Sequence, residues 1–388
     1  MSDIRKVLSA VLRKDRMALL AKAFAELSPH DKFEPGWHLE ALMWQLERCR
    51  LLENRRLLIN MPPRSGKSIA TSVVFVALAL GINPKLRFLC ASYSKELAIV
   101  FANQTRQIMN TAWYKRAFPN TRISRKNTET EFTTTAGGGR VTTSMGATLT
   151  GRGADFIILD DPHNAEDVHS PTLRDRAERW FKEGLLTRLN QKKTGVVIVV
   201  AQRLHEDDLC GRLIEDGGWT KLILPAVATE TEIHWIGHRK RHRRRAGEVL
   251  QPNREPQETL DRERETLGSA RFEAMYQQSP VPAGGNMIKA DSLRYYVNPP
   301  FVEGFVLQSW DCASSLEEER SYSVCTTWKV VGNYFLLDLF RQRVEFPALL
   351  RHAKRLAELY RPNVVRIERA ASGIPLAQTL RTVEGVRV

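Results

Sequence analysis

Between residues 56 and 201 the apolar positions fall into short runs separated by longer mixed stretches. Arg56 to Asn60 reads as a strand, and Leu86 to Ala91, Phe156 to Leu159 and Val196 to Ala201 as three more. Ile69 to Leu80 is an apolar run with neither Gly nor Pro, which predicts a buried helix, while Lys95 to Asn110 and Leu173 to Leu189 have helical or mixed character. Such alternation predicts an α/β domain, a mostly parallel sheet with helices on both faces. Ahead of it, Met1 to Leu27 spreads Lys, Arg, Asp and Glu among its apolar positions and opens an amphipathic helical segment reaching about residue 50.

The pattern changes from about Glu230 to Gly285. A basic run, His238 to Arg245, leads into a charged helical stretch, Gln257 to Thr266, and then a Pro/Gly cluster, Pro280 to Gly285. Beyond it Val306 to Asp311, Ser323 to Val330 and Tyr334 to Phe340 read as strands, Ala348 to Tyr360 as a helix, and Val364 to Glu368 as a fourth strand. The expected organisation is a domain over 1–230, a linker region over 231–290 and a second domain over 291–388. No internal repeat is visible.

The length of 388 residues accommodates two domains with separate cores. No window approaches the roughly 18 apolar residues that a membrane helix needs, and the N-terminus does not read as a signal peptide. The five cysteines show no paired or metal-ligand spacing, which points to reduced thiols and against structural zinc. Lys plus Arg number 58 against 44 acidic residues, a formal charge of +14 that favours a polyanionic partner without naming it.

Candidate chemistry begins where the first strand meets the apolar helix, at Met61-Pro62-Pro63-Arg64-Ser65-Gly66-Lys67-Ser68. In a phosphate-binding loop, backbone N–H groups and the following helix N-terminus surround phosphate oxygens, a Lys reaches the β- and γ-phosphates, and a hydroxyl binds Mg²⁺. Gly66, Lys67 and Ser68 take these roles, with Arg64 and Ser65 in the loop; Met61 stands where the usual pattern has its first Gly. Downstream, Phe156 to Leu159 ends in Asp160-Asp161, suited to delivering Asp160 to the Mg²⁺ shell and Asp161 to an attacking water. The plain alternative is a core strand ending in a solvated turn.

Three arginines lie near this site in sequence. Arg152, between Gly151 and Gly153, ranks first as a finger offered to a neighbouring subunit; Arg64 is the candidate acting on its own nucleotide; Arg203 follows the Val196 to Ala201 strand. Gln202 and Arg203 are candidates for sensing the γ-phosphate and coupling hydrolysis to motion. Each could instead be a surface, ion-paired or turn residue. In the C-terminal part Asp311 and Glu368 each end an apolar strand, as the carboxylates of a two-metal nuclease do. By themselves these two acids fit solvated strand ends better.

With these residues placed, the chain from roughly Trp37 onward resembles the large terminase subunits of tailed phages and related gene-transfer particles. The motifs run in order: residues 60–68; Thr148-Leu149-Thr150-Gly151-Arg152-Gly153-Ala154-Asp155 into Leu159-Asp160-Asp161-Pro162; Gln202 to Leu209; Tyr276-Gln277-Gln278-Ser279-Pro280; Ser309-Trp310-Asp311-Cys312-Ala313; and Ile367-Glu368-Arg369-Ala370-Ala371-Ser372-Gly373. The resemblance implies an α/β fold made of a P-loop NTPase domain of the ASCE type followed by an RNase H-like α/β nuclease domain. It further implies an ATPase that drives double-stranded DNA into a prohead as a homo-oligomeric ring, with ATP and Mg²⁺ as cofactors. Portal, prohead and a small terminase subunit are the implied partners, and the cytoplasm of a bacterial host the implied location.

By the same resemblance Asp311 and Glu368 become metal ligands of a nuclease that cuts concatemers with Mg²⁺ or Mn²⁺. The sequence departs from the family in two places. A third carboxylate is expected after a fifth strand, near where Leu380 to Val388 stands, and an Asp before Tyr-Ser is replaced in Arg320-Ser321-Tyr322-Ser323. The nuclease half is therefore expected to be C-terminally truncated, or incomplete and weak. Two competing readings are a P-loop helicase or repair ATPase, and a non-enzymatic DNA-binding assembly subunit that uses His238 to Arg245 as a phosphate-tracking patch. That basic run could equally be a solvated linker.

Overall fold

The computed structural model describes residues 2–149, 151–281, 294–298, 301, 303–312, 322–342, 344–368, 372–381 and 387. Thr150, Ala313, Arg320, Ser321, Arg369, Ala370 and Ala371, with most of Pro280 to Gly285 and of Leu380 to Val388, lie outside the described residues. The chain divides into two compact units, Met1–Met287 and Ile288–Val388.

The first unit opens with three helices, α1 (Ser2–Lys14), α2 (Arg16–Leu27) and α3 (Trp37–Arg50). Asp15 starts α2 by accepting the N–H groups of Met17 and Ala18. The strands are β1 (Arg56–Asn60), β2 (Arg87–Ser92), β3 (Ile123–Asn127), β4 (Glu131–Thr134), β5 (Gly139–Ser144), β6 (Phe156–Asp160), β7 (Val196–Ala201) and β8 (Thr220–Ile223). They form one sheet in the order β3-β4-β5-β2-β6-β7-β1-β8. From β5 to β8 all neighbours are parallel, and β4 and β3 extend one edge antiparallel.

The uninterrupted apolar character of the inner strands has a direct cause: both faces are covered. Successive residues of a strand alternate between two cores. Ile59, Phe88, Ile158 and Ile198 enter one, and Leu58, Leu89, Leu159 and Val199 the other. On the first face lie α3, the helix after the phosphate loop, α5 (Lys95–Asn110) and α6 (Ala112–Ala117); on the second, the segment around Phe181 and α8 (Leu209–Asp216). The helix after the loop is wound in the wider π form over Ile69–Phe75 and continues as α4 (Val76–Ile82). A π form recurs at Trp180–Leu185, beyond α7 (Pro171–Arg179).

The region expected to be a linker over 231–290 is folded where it is described. Strands β9 (Glu232–Gly237) and β10 (Lys240–Arg244) form an antiparallel hairpin, followed by α9 (Gln257–Leu267) and α10 (Ser269–Met275). Within the basic run, His242 and Arg244 turn inward to an aromatic partner while the other six residues are exposed. The Trp37 ring stacks with His234 at 5.1 Å and His242 at 4.4 Å, and Arg244 is buried, donating to the carbonyls of Pro225, Ala226 and Glu248. Gln277 fixes the segment after β8 by a two-way amide pair with Val227 at 2.9 and 3.0 Å.

The second unit contains β11 (Phe305–Asp311), β12 (Ser323–Val331), β13 (Asn333–Gln342), α11 (Phe346–Tyr360), β14 (Val364–Ile367) and α12 (Gly373–Leu380). The sheet order is β13-β12-β11-β14, with β14 parallel to β11 and the other pairs antiparallel. Trp310, Cys325, Phe340, Leu349, Leu356 and Leu376 form the core of this unit. Among the described residues no helix is long and apolar enough to cross a membrane.

Candidate functional site

The loop after β1 departs from a glycine at Met61 for a packing reason. Met61 is wholly buried in the core, its N–H directed at the Ala201 carbonyl of β7 at 3.3 Å. Arg64 (φ 57°) and Gly66 (φ 82°) then turn the chain through the left-handed region. A Cβ on Gly66 would stand 3.3 Å from Leu39 Cδ2, so both the conformation and the space favour glycine there. Lys67 is buried, and Ser68 begins the helix.

Ser68 and Asp160, distant in sequence, meet. The Ser68 hydroxyl donates to Asp160 Oδ1 at 3.0 Å, and the Ser72 hydroxyl, one helical turn on, donates to Oδ2 at 2.5 Å. β7 lies between β1 and β6, which sets the loop and the Asp160 carboxylate at the same end of the sheet without making their strands neighbours. Burial, then the charge of Asp161, pushes the Asp160 carboxyl up to about 7; the two hydroxyls and Lys67 oppose that shift. A desolvated carboxylate flanked by hydroxyls is a hard-oxygen set suited to Mg²⁺.

Asp161 sits at φ 46°, a left-handed conformation uncommon outside glycine. Its backbone is pinned on both sides, donating to the Val200 carbonyl at 2.8 Å and accepting from Tyr93 N–H at 3.1 Å. The Gln202 N–H approaches Asp161 Oδ1 at 3.4 Å, so Gln202 lies beside this carboxylate through its backbone. A cleft of about 540 Å³ opens over the loop, lined by Arg64, Lys67 and Ser68 together with Phe33, Gln251 and Arg254. That volume suits a nucleotide-sized ligand.

The three arginines separate. Arg64 is exposed and borders the cleft. Arg203 is engaged within its own turn: its buried guanidinium meets both oxygens of Asp208 at 2.9 and 3.0 Å and donates to the carbonyls of His205 and Glu206. Asp208 in turn caps α8 through the Gly211 N–H, so the pair is a structural clasp. Arg152 precedes β6 at the end of the sheet opposite Asp160 and pairs with Glu131 at 2.7 Å. The strand itself interposes about 13 Å between Arg152 and the Asp160 end of the sheet, and the pair with Glu131 is the contact Arg152 makes within its own chain.

Sequence reading missed Ser72, Arg140, His38 and His163. Ser72 had a signal, its spacing of four from Ser68 on one helix. Arg140 had none: it is wholly buried on β5, donates to the Ser72 carbonyl and to Thr105 Oγ1 (3.0 Å), and has Asp160 among its nearest charges. His38 is buried beside the loop, its pKa lowered to about 4 chiefly by burial, with the Ser65 backbone opposing and Arg244 adding to the shift. His163 accepts the Leu209 N–H at 3.0 Å, tying the Asp160-Asp161 turn to the start of α8; burial lowers its pKa and keeps the acceptor nitrogen free of a proton.

In the second unit Asp311 and Glu368 stand side by side, since Trp310 pairs with Ile367 in parallel register and Glu368 N–H donates to the Trp310 carbonyl at 3.0 Å. Both are exposed. Burial, then these two carboxylates, pushes the Cys312 thiol up to about 12. Among the described residues no group of three or more His, Cys, Asp or Glu gathers as a metal site.

No family model matches the sequence, and no curated protein does. Solved structures do. The large terminase of a thermophilic bacteriophage matches at 12% identity and TM-score 0.41, over 91% of this chain and 82% of that one. The large terminase of bacteriophage HK97 matches at 11% identity and TM-score 0.38, over 84% and 73%. The ATPase domain of the Thermus phage P74-26 large terminase matches at 16% identity and TM-score 0.38, over 66% of this chain and 97% of that domain. Over most of its length, then, the chain is similar to large terminase structures from several phages, at low sequence identity.

Proposed function

We propose that the first unit is an ATPase that moves double-stranded DNA, working as the large terminase subunit of a phage-type packaging machine. The observation that carries the nucleotide chemistry is the meeting of Ser68 and Asp160 at 3.0 Å, with Lys67 buried between a left-handed turn and the helix start. Lys67 and the loop N–H groups hold the β- and γ-phosphates of ATP. Mg²⁺, held by Ser68 and Asp160, would offset the phosphate charge. Asp161 orients a water and takes its proton as the water oxygen bonds to the γ-phosphorus and the β–γ bridging oxygen departs with ADP. Arg64 from the same chain and Arg152 from a neighbouring subunit stabilise the charge on the transferring group. The backbone contact of Gln202 to Asp161 gives that carboxylate a link to β7.

In the second unit Asp311 and Glu368 would hold Mg²⁺ or Mn²⁺ for phosphodiester cleavage. Function in the host cytoplasm, in a ring on a portal and prohead with a small terminase subunit, completes the reading. The test is phosphate release by the full chain with duplex DNA, alone and assembled on portal and prohead. Lys67→Ala and Asp161→Asn are each expected to lower turnover by on the order of 10³-fold. Hydrolysis indifferent to both substitutions would overturn the proposal.

A further inference from the structure

The β9–β10 hairpin has two faces that differ in kind. Cross-strand partners share a face, and the register pairs His234 with His242 and Glu232 with Arg244 on the inner one. That face is fully occupied: both imidazoles stack with Trp37, and Arg244 is buried over the same ring at 5.6 Å. The outer face carries the pairs Trp235 with Arg241 and Ile233 with Arg243, all four exposed. Ile233 is 60% and Trp235 42% accessible, although the inner face already anchors the ribbon and packing does not require apolar groups outside.

The charge on the outer face is of one sign. Glu232 is held by His234 at 3.0 Å, Glu248 by His242 at 3.5 Å, and Glu40 takes Lys240 at 2.8 Å. Arg239, Arg241, Arg243 and Arg245 have no carboxylate partner among the described residues. The Arg241 guanidinium lies 4.1 Å from the Trp235 ring centroid, which fixes its direction before any partner arrives. Because that ring face is taken by the guanidinium, the pair suits phosphate contact better than base stacking, and phosphate contact suits a duplex. A two-stranded ribbon is also narrow enough to enter a major groove.

We propose that the outer face of the β9–β10 hairpin, Trp235, Arg241, Ile233 and Arg243 with Arg239 at the tip and Arg245 at the base, is a grip for the backbone of duplex DNA. It rests on the DNA-translocating reading and names the contact surface for it. The inner face bolts the same ribbon to Trp37, whose chain neighbour His38 is buried beside the phosphate loop, so a load on the grip bears on the nucleotide site.

The experiment is fluorescence anisotropy of a labelled, sequence-neutral duplex with the full chain over a range of salt. Arg241→Ala/Arg243→Ala is expected to flatten the slope of log K against log salt by about 1.8, the loss of two phosphate contacts, and to weaken binding about tenfold or more at moderate salt. Arg241→Lys/Arg243→Lys should restore most of the slope, which a merely misfolded hairpin would not allow. Unchanged nucleotide binding in both variants confirms that the inner stack is intact. If the wild type binds duplex and the alanine pair matches it in slope and affinity, the hairpin assignment falls while the translocating reading stands. If the variants keep the wild-type slope but lose self-association by light scattering, the surface belongs to a second copy of the chain and the assignment falls. A wild type that hydrolyses ATP but binds no duplex would remove the translocating reading with it.

Discussion

The two carboxylate pairs, Asp160 with Asp161 and Asp311 with Glu368, both end apolar strands, yet their surroundings differ. β6 is covered on both faces, so Asp160 is desolvated, held by two hydroxyls, and shifted toward neutrality. Among the described residues the sheet of the second unit has its core on one face, and Asp311 and Glu368 are exposed. An apolar run ending in an acid therefore specifies a position and not an environment. The number of covered faces decides whether that acid is pre-organised or merely solvated.

The sharpest way to break this contrast is Asp160→Asn. Hydrolysis is expected to fall by on the order of 10³-fold while the free protein melts at a higher temperature, because the swap removes a buried charge but keeps its shape. The sign follows from the shift. Asp160 has its folded-state carboxyl near 7, above its unfolded value, so its ionised form destabilises the fold above that pH and the penalty fades as pH falls through 7 toward 4. Thermal melts at pH 8 and pH 5.5 check it: the gain from Asn should be larger at pH 8, and a loss at both would remove the contrast.

A smaller effect is expected at His38. Its folded pKa of about 4 lies below the unfolded value of 6.5, so the unfolded chain binds the extra proton between those limits. The associated stability is complete above pH 6.5 and is lost as pH falls toward 4, by roughly 3 kcal/mol. Urea titrations across that range should show the slope in wild type and its flattening in His38→Gln. The smallest effect belongs to the exposed pair, where Asp311→Asn should alter stability by no more than about 0.5 kcal/mol. A loss of several kcal/mol in urea would mean the fold itself holds that carboxylate, against the contrast.

Much of this was readable from residue order. The strand, loop and helix around Lys67 and the run into Asp160 carry their periodicity openly, since sealed strands need continuous apolar residues. What could not be read was position across the sheet. Nothing in the strand runs says that β7 comes between β1 and β6, because strand order is fixed by pairing between distant segments. The hairpin escaped for another reason: its inward positions are the half-buried His234 and His242 and the buried Arg244, polar residues held there by Trp37 and three carbonyls. The Arg203 pair was half legible, its partner Asp208 being close in sequence yet recognisable as a clasp only when the turn is closed.

The left-handed turns at Arg64 and Asp161 set stability and catalysis against each other under mutational selection. Each holds a side chain with a Cβ where glycine or asparagine would sit more easily, at a cost on the order of 1 kcal/mol. A library screened only for thermal endurance would enrich Gly and Asn at these two sites, and one screened for turnover would restore Arg and Asp. Positions where the two screens disagree would thus outline the nucleotide site with no ligand present, and a stabilised variant chosen without regard to activity would lose its chemistry there first.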